Sequence, residues 1–205
     1  QTWSVPGKPL AYRYSLGRAV QAHCPTAKSS FDILVRRDEA RQGIAPPRFG
    51  HPGHPPRAFF CDEPQRLAQV VSSPQGFRTA CQGMVLLFAL DLRYAEALSA
   101  ACDWSPCDCG ASVPKLLGRM LLAELALGQC HTATCTLQEA VNSVGGGAAR
   151  DGCCGAVPMS AVFEEAYRCG ADSLYFPQPG VIAMLSPARA LPLYLAEYRR
   201  HRVRL

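Results

Sequence analysis

The sequence predicts an α+β domain, and three observations carry that prediction. Short apolar runs recur along its 205 residues, bounded by glycine, proline or polar clusters, as strands a few residues long would be. Only a few segments show helical spacing, and many short strands with few helices is the α+β pattern. Hydrophobic residues make up 48% and charged residues 18%, which is ample for a core and too apolar for a disordered chain.

Taken in order, Thr26 to Arg37 reads as a helix capped by Thr26, with Ala27, Phe31, Leu34 and Val35 on one face. Pro46 to Pro56 is too rich in proline, glycine and histidine to be regular structure. Arg57 to Cys61 is a short buried strand, and Pro64 to Val71 a short helix with proline in its first turn. Met84 to Leu92 is a continuous apolar run suited to a central strand. Leu116 to Leu127 fits either a helix, by its Leu, Ala and Met content, or a strand buried on both faces. Ser160 to Arg168 is helical, and Val181 to Leu185 and Leu193 to Tyr198 are strands separated by Ser186-Pro187 and Pro192. Irregular stretches near Cys102 to Pro114 and Gly145 to Pro158 separate runs rather than domains, so residues 1–205 read as one domain with elaborated loops. The chain starts without methionine, which suggests excision from a longer protein.

Composition narrows the function classes. No apolar run reaches the length of a bilayer-spanning helix, and Gln1 to Lys8 lack the pattern of a signal peptide, so no membrane role is expected. Twenty-one basic against sixteen acidic residues give a net charge of +5, compatible with an anionic ligand or RNA without demanding either. Much of that excess lies in Arg199, Arg200, His201, Arg202 and Arg204; a basic run without interleaved aromatics is more simply a solvated strand end. Eleven cysteines is an odd and irregularly spaced set. Cys61 and Cys81 adjoin apolar runs where reduced cysteine packs as a small hydrophobe, which points to an intracellular protein, nuclear or cytoplasmic, with free thiols.

The closing segment carries a family pattern. Asp172-Ser173, then Pro179-Gly-Val-Ile-Ala-Met-Leu185, then Leu191-Pro-Leu-Tyr-Leu195 resembles, in order and spacing, the last strands of poly(ADP-ribose) polymerase-like catalytic domains. It is most similar to the mono-ADP-ribosylating branch. Arg119 to Gly128 resembles the family strand that ends in glycine, which settles Leu116 to Leu127 as a strand. Gln21 to Lys28 resembles the first-strand His-Gly-Thr and the helix behind it, and Arg57 to Val70 the Tyr-Phe-Ala strand and its helix. The resemblance implies an ADP-ribosyltransferase-like split antiparallel β core with flanking helices, two sheets with a cleft between them.

It also implies NAD⁺ as substrate and a protein acceptor. Loss of nicotinamide passes through an oxocarbenium-like state, so the site must grip the amide, hold the ribose and stabilise positive charge. The resemblance puts His23 at the adenosine-side ribose, the Cys24 backbone at the nicotinamide amide and Phe59 where a tyrosine stacks. It puts Val181 where chain-extending members carry the glutamate that binds the ribose hydroxyl. The His-Tyr-Glu triad thus becomes His23, Phe59 and Val181, and Gly180 replaces a usual serine. The missing glutamate argues against polymer synthesis. Transfer of one ADP-ribose unit and an inactive domain serving a protein or RNA partner both remain open.

Blander readings stand beside each of these. His23 alone is an ordinary half-buried histidine, Phe59 and Phe60 are core, Glu124 is an exposed edge residue, and Glu164 and Glu165 lie on a solvated helix face. Glu139 and Asp151 are possible replacement acids without further support. Cys102, Cys107 and Cys109 offer thiolates for zinc, but C-x4-C-x-C lacks a second pair, so loop cysteines without a metal are the simpler expectation.

Overall fold

The computed structural model describes residues 11–41, 55–92, 94–95, 116–142 and 155–203. The strands are β1 (Ala11–Gln21), β2 (Arg57–Phe60), β3 (Met84–Ala89), β4 (Leu116–Leu125), β5 (Cys130–Thr132), β6 (Ala156–Pro158), β7 (Ser173–Phe176), β8 (Val181–Met184) and β9 (Ala190–Val203). The helices are α1 (Pro25–Arg41), α2 (Pro64–Ser72), α3 (Phe77–Ala80), α4 (Leu137–Asn142) and α5 (Ala161–Arg168), and Pro187–Arg189 forms a 3₁₀ turn.

The strands form one sheet in the order β1-β9-β4-β2-β3-β8-β7-β5, with β6 added to β3. Every pairing is antiparallel except β5 with β7. The expected split is visible as a narrow joint. β2 meets β3 through the single pair Phe59–Ala89, whereas β4 and β9 are registered over ten pairs. The fold is α+β, with its two half-sheets hydrogen-bonded into one.

Pleating sends alternate residues to opposite faces, and each face finds a different cover. On one, Phe60, Phe77 and Phe88 pack with ring centroids 5.0 to 5.6 Å apart, locking α3 onto β2 and β3. Leu67 and Val70 of α2 fill the same layer, and Cys81 is buried there as the small hydrophobe its neighbours suggested. On the other face, Phe163 of α5 and Leu137 and Ala140 of α4 cover Ala183, Leu174 and Val181. Cys61 is buried in that layer.

Several element readings shift by a few residues. α1 begins at Pro25, so Thr26 is inside it, and Cys24 provides the carbonyl that accepts the Lys28 N–H (2.9 Å). A proline preset to helical φ at the first position outcompetes the threonine cap. Ala27 and Phe31 are buried as expected. β9 runs to Val203, longer than its apolar core, because β1 pairs with it through the basic tail. Pro192 is tolerated inside β9 at a register shift opposite Leu122 and Ala123.

A buried ionic cluster ties these layers together. Arg189, 3% exposed, places Nη1 2.6 Å from Asp38 Oδ2 and donates to the Ala126 carbonyl (3.1 Å). Its Nη2 lies 2.8 Å from Asp172 Oδ1, while Asp172 Oδ2 accepts the Gln129 N–H (3.0 Å). The Ser173 hydroxyl donates to the Leu127 carbonyl (2.8 Å). Gly128, with φ of +57°, passes so close that a Cβ there would enter the Asp172 carboxylate.

Removing one partner of such a cluster strands the others in a low-dielectric site. Arg189→Ala is expected to cost about 3–5 kcal/mol in urea unfolding. Gly128→Ala should also be strongly destabilising, through both its φ and its missing space. Arg57→Ala, which breaks the exposed 3.0 Å pair with Glu124, should cost under about 1 kcal/mol. Equal midpoints for the Arg189 and Arg57 variants would refute this ranking.

Candidate functional site

One row of registered residues crosses seven strands and organises the site. Gln21 of β1 faces Tyr194 of β9, which faces Leu122 of β4, then Phe59, Ala89, Val181 and finally Phe176 of β7. Residues in direct register share a face, so Phe59 and Val181 lie on one face with only Ala89 between them. Two strand spacings put their backbones about 10 Å apart. The structure therefore brings Phe59 and Val181 together.

His23 stands at the far end. It follows Gln21 by two residues, and the row from Gln21 to Phe59 spans three strand spacings, about 14 Å. The Ala22 N–H donates to the Leu193 carbonyl (2.8 Å), holding this stretch against β9, and the His23 side chain is exposed. Cys24 turns the other way. It is buried against α1 and its thiol lies 3.6 Å from the Val70 carbonyl, as a donor. Burial pushes that thiol above its ordinary value of 9.0, with the Gly76 backbone opposing.

Val181 is fully buried, flanked by Ala89 and Phe176. Gly180 before it has φ of +85°, a conformation that favours glycine over serine, and its N–H donates to the Phe176 carbonyl (3.0 Å). The glycine is thus explained by the tight β7–β8 turn alone. Phe59 is half-buried and, with Leu92, Leu122, Met120, Tyr194 and Tyr198, lines a 420 Å³ cavity on the sheet face left open beside α4 and α5. The walls offer stacking and apolar contact and hardly any hydrogen-bonding groups.

The remaining acidic candidates have structural partners. Glu139 accepts the Thr136 N–H (2.8 Å) and its own N–H bonds the Thr136 hydroxyl (3.2 Å), a capping box at the start of α4 legible in Thr136-Leu-Gln-Glu139. The Thr136 contacts hold its carboxyl below the usual range. Glu124 is not an edge residue: β4 lies between β9 and β2, and Glu124 pairs with Arg57 across the strands. Glu164 and Glu165 are exposed and pair with Arg168, as a solvated helix face should. Asp151, Cys102, Cys107, Cys109 and most of the Pro46 to Pro56 loop lie outside the described residues.

Asp91 stands just past β3, next to the cavity-lining Leu92. It follows Ala89 by two residues at the end of β3, where Leu90 donates its N–H to the Gly180 carbonyl (3.0 Å) and Leu92 enters the cavity wall. The Met84 to Leu92 run therefore ends as rim rather than as strand. No described helix is long and apolar enough to cross a membrane.

No protein-family model matches the chain, and no curated protein matches its sequence. Solved structures do resemble it in fold. The PARP domain of Arabidopsis RADICAL-INDUCED CELL DEATH1 superposes with a TM-score of 0.50, 11% identity, 91% of this chain and 87% of that chain. The TASOR pseudo-PARP domain gives 0.46, 10% identity, 92% and 84%. The first likeness establishes a PARP-type ADP-ribosyltransferase fold and says nothing about which residues work.

The described cysteines include no disulfide, and their environments set an order of reactivity. Burial pushes the Cys81 thiol up to about 12, with the Asp62 charge adding to the rise. A thiol raised in the folded state stabilises the fold below pH 9.0 and loses that contribution as pH climbs toward 12. Alkylation of the native protein at pH 8, read by peptide mass mapping, should therefore label exposed Cys169 first and Cys81 last among the described cysteines. Early labelling of Cys81 in folded protein would contradict its placement.

Proposed function

We propose that this chain is a divergent PARP-type domain that keeps the ADP-ribosyltransferase scaffold without the transfer reaction, and acts as a binding module for a protein or RNA partner. The observation that carries this reading is the coincidence of changes at the site rather than any one of them. Where chain extension needs an acceptor for the ribose hydroxyl, the two methyl groups of Val181 sit fully buried between Ala89 and Phe176, which by itself removes only polymer synthesis. Val181 can neither hydrogen-bond nor titrate.

Two further features support it. A nicotinamide clamp uses a backbone N–H and carbonyl together, and the Cys24 carbonyl is engaged by the Lys28 N–H as the first bond of α1. Phe59 retains a stacking face but carries no hydroxyl. The rival reading is transfer of a single ADP-ribose from NAD⁺ to a protein. What favours it is exposed His23, available at the sheet end to a ribose hydroxyl. The free thiols suit a reducing compartment, and we place the protein inside the cell, in nucleus or cytoplasm.

Thermal unfolding with millimolar NAD⁺ separates the two. A ligand specific for the folded state raises the melting temperature by mass action, so the expected result is no shift. A shift of several degrees that disappears in His23→Ala, with labelled ADP-ribose appearing on protein, would establish the enzyme instead. Val181→Glu should lower the melting temperature without creating activity, because it buries a carboxylate among Ala89 and Phe176.

A further inference from the structure

The 420 Å³ cavity lies on the sheet face that α4 and α5 share, past the joint, over β2, β4, β9 and β1. Strand register gives it a definite shape. Leu16, Tyr198 and Gly118 form one rung, Ala19, Ala196 and Met120 the next, and Gln21, Tyr194 and Leu122 the third, which Phe59 extends on β2. Ala19 and Ala196 thus make a low floor between larger side chains on either side along the strands. The rim is exposed, Leu16 at 68% and Tyr194 at 41%, while Tyr198 and Met120 are buried beside the floor. The register shift between Leu16 and Arg18 sets this pattern: it puts Ala19 on the cavity face and turns Arg18, opposite Glu197, to the other.

The walls exclude most occupants. None of the described residues lining the cavity is charged. On the same face Arg57 and Glu124 are closed on each other at 3.0 Å, and the Arg119–Glu197 pair lies on the opposite face. A carboxylate, phosphate or ammonium would therefore enter without a counter-ion, at a heavy desolvation cost. Size excludes a second copy of the chain. Two rungs along the strands and three strand spacings across them make a patch of about 14 Å by 14 Å, on the order of 200 Å². A specific protein interface covers about 800 Å² on each partner. What fits is a molecule small enough to be enclosed, and 420 Å³ is a ligand-sized space.

We propose that this hollow binds an uncharged aromatic small molecule. Three of its walls are rings, Phe59, Tyr194 and Tyr198, and Met120 adds a polarisable thioether beside the floor. An inserted ring gains offset or edge-on contacts with such walls, and sulfur–ring contact besides the burial itself. An aliphatic molecule of the same size gains the burial alone. A fatty acid would bring a carboxylate that no lining residue answers. Of the positions that the resemblance assigns to NAD⁺, only Phe59 lines the hollow; His23, Cys24 and Val181 do not. The inference is therefore independent of whether the domain transfers ADP-ribose.

The test is fluorescence titration of the 205-residue chain with N-phenyl-1-naphthylamine, a neutral aromatic probe that brightens in apolar surroundings. Its 8-sulfonate, the same rings with a negative charge, is the matched control. The neutral probe should saturate one site per chain, half-saturating below about 100 µM. The sulfonate should bind at least about tenfold more weakly. Ala19→Phe fills the floor from an exposed position and should weaken the neutral probe about tenfold or more. Val20→Phe, next to it but on the opposite face and also exposed, should leave binding unchanged. Melting temperatures within a few degrees of the parent show that each variant is folded. Should Ala19→Phe fail that check, Tyr194→Ala carries the comparison and should weaken binding about threefold to tenfold. Excess n-dodecanol and millimolar NAD⁺ should leave the probe bound. Absence of saturable binding would overturn the proposal, as would a sulfonate bound equally well or a loss in Val20→Phe equal to that in Ala19→Phe. Displacement by dodecanol would assign the hollow to an aliphatic ligand, and displacement by NAD⁺ to the nucleotide cleft; either overturns it. Dimerisation of the chain that Ala19→Phe abolishes would give the face to a second copy and overturn it too.

Discussion

The guanidinium of Arg189 is the constraint on which the rest of the architecture depends. It reaches α1 through Asp38, the start of β7 through Asp172 and the end of β4 through the Ala126 carbonyl, three elements far apart in sequence. Arginine suits this post because its planar fork sets donors on separate nitrogens, Nη1 toward Asp38 and the Ala126 carbonyl and Nη2 toward Asp172, whereas the three donors of a lysine share one nitrogen. Burying Arg189 and Asp38, with Asp172 partly exposed beside them, has a large desolvation cost. The cluster contributes less to net stability than to uniqueness: any other arrangement of α1 over the β8–β9 turn leaves a buried charge unanswered. The closing-segment pattern acquires a physical meaning here. Asp172 and Ser173 hold the scaffold, through Arg189, the Gln129 N–H and the Leu127 carbonyl.

How much of this was legible depended on whether the signal was local. Strand periodicity, the first-turn proline of α2 and the buried Phe31 face could be read because each follows from residues within a few positions. Thr26 was misread as a cap because threonine and proline compete for the start of α1, and proline there has only to keep the φ it already has. Asp38 and Arg189 carry no local mark at all. They are 151 residues apart, and only the folded chain shows an acid in an ordinary amphipathic helix to be buried. Leu116 to Leu127 needed a family pattern to become a strand, since a sequence buried on both faces has no alternation to display.

For the site, residue types could be read and distances could not. The resemblance groups Phe59, Val181 and His23; the register sets Phe59 and Val181 on either side of Ala89 and leaves His23 near the β1 end of the row. The joint between half-sheets is a single residue pair, so the spacing between His23 and Val181 is fixed by β9 and β4 rather than by the site residues themselves. Such a scaffold tolerates drift in its reactive positions. Nothing in the core requires a hydroxyl at Phe59 or a carboxylate at Val181, and packing alone preserves the fold with either change.

The outermost position of β1 has one more consequence, for how copies of the protein meet. An edge strand exposes a row of N–H and carbonyl groups able to extend a sheet into a neighbouring molecule. Here β1 carries two arginines, Arg13 and Arg18, and no acid, so two such edges repel. That protection is electrostatic and fades in strong salt. Self-association through β1 is therefore favoured as ionic strength rises, the reverse of what a salt bridge between copies would give.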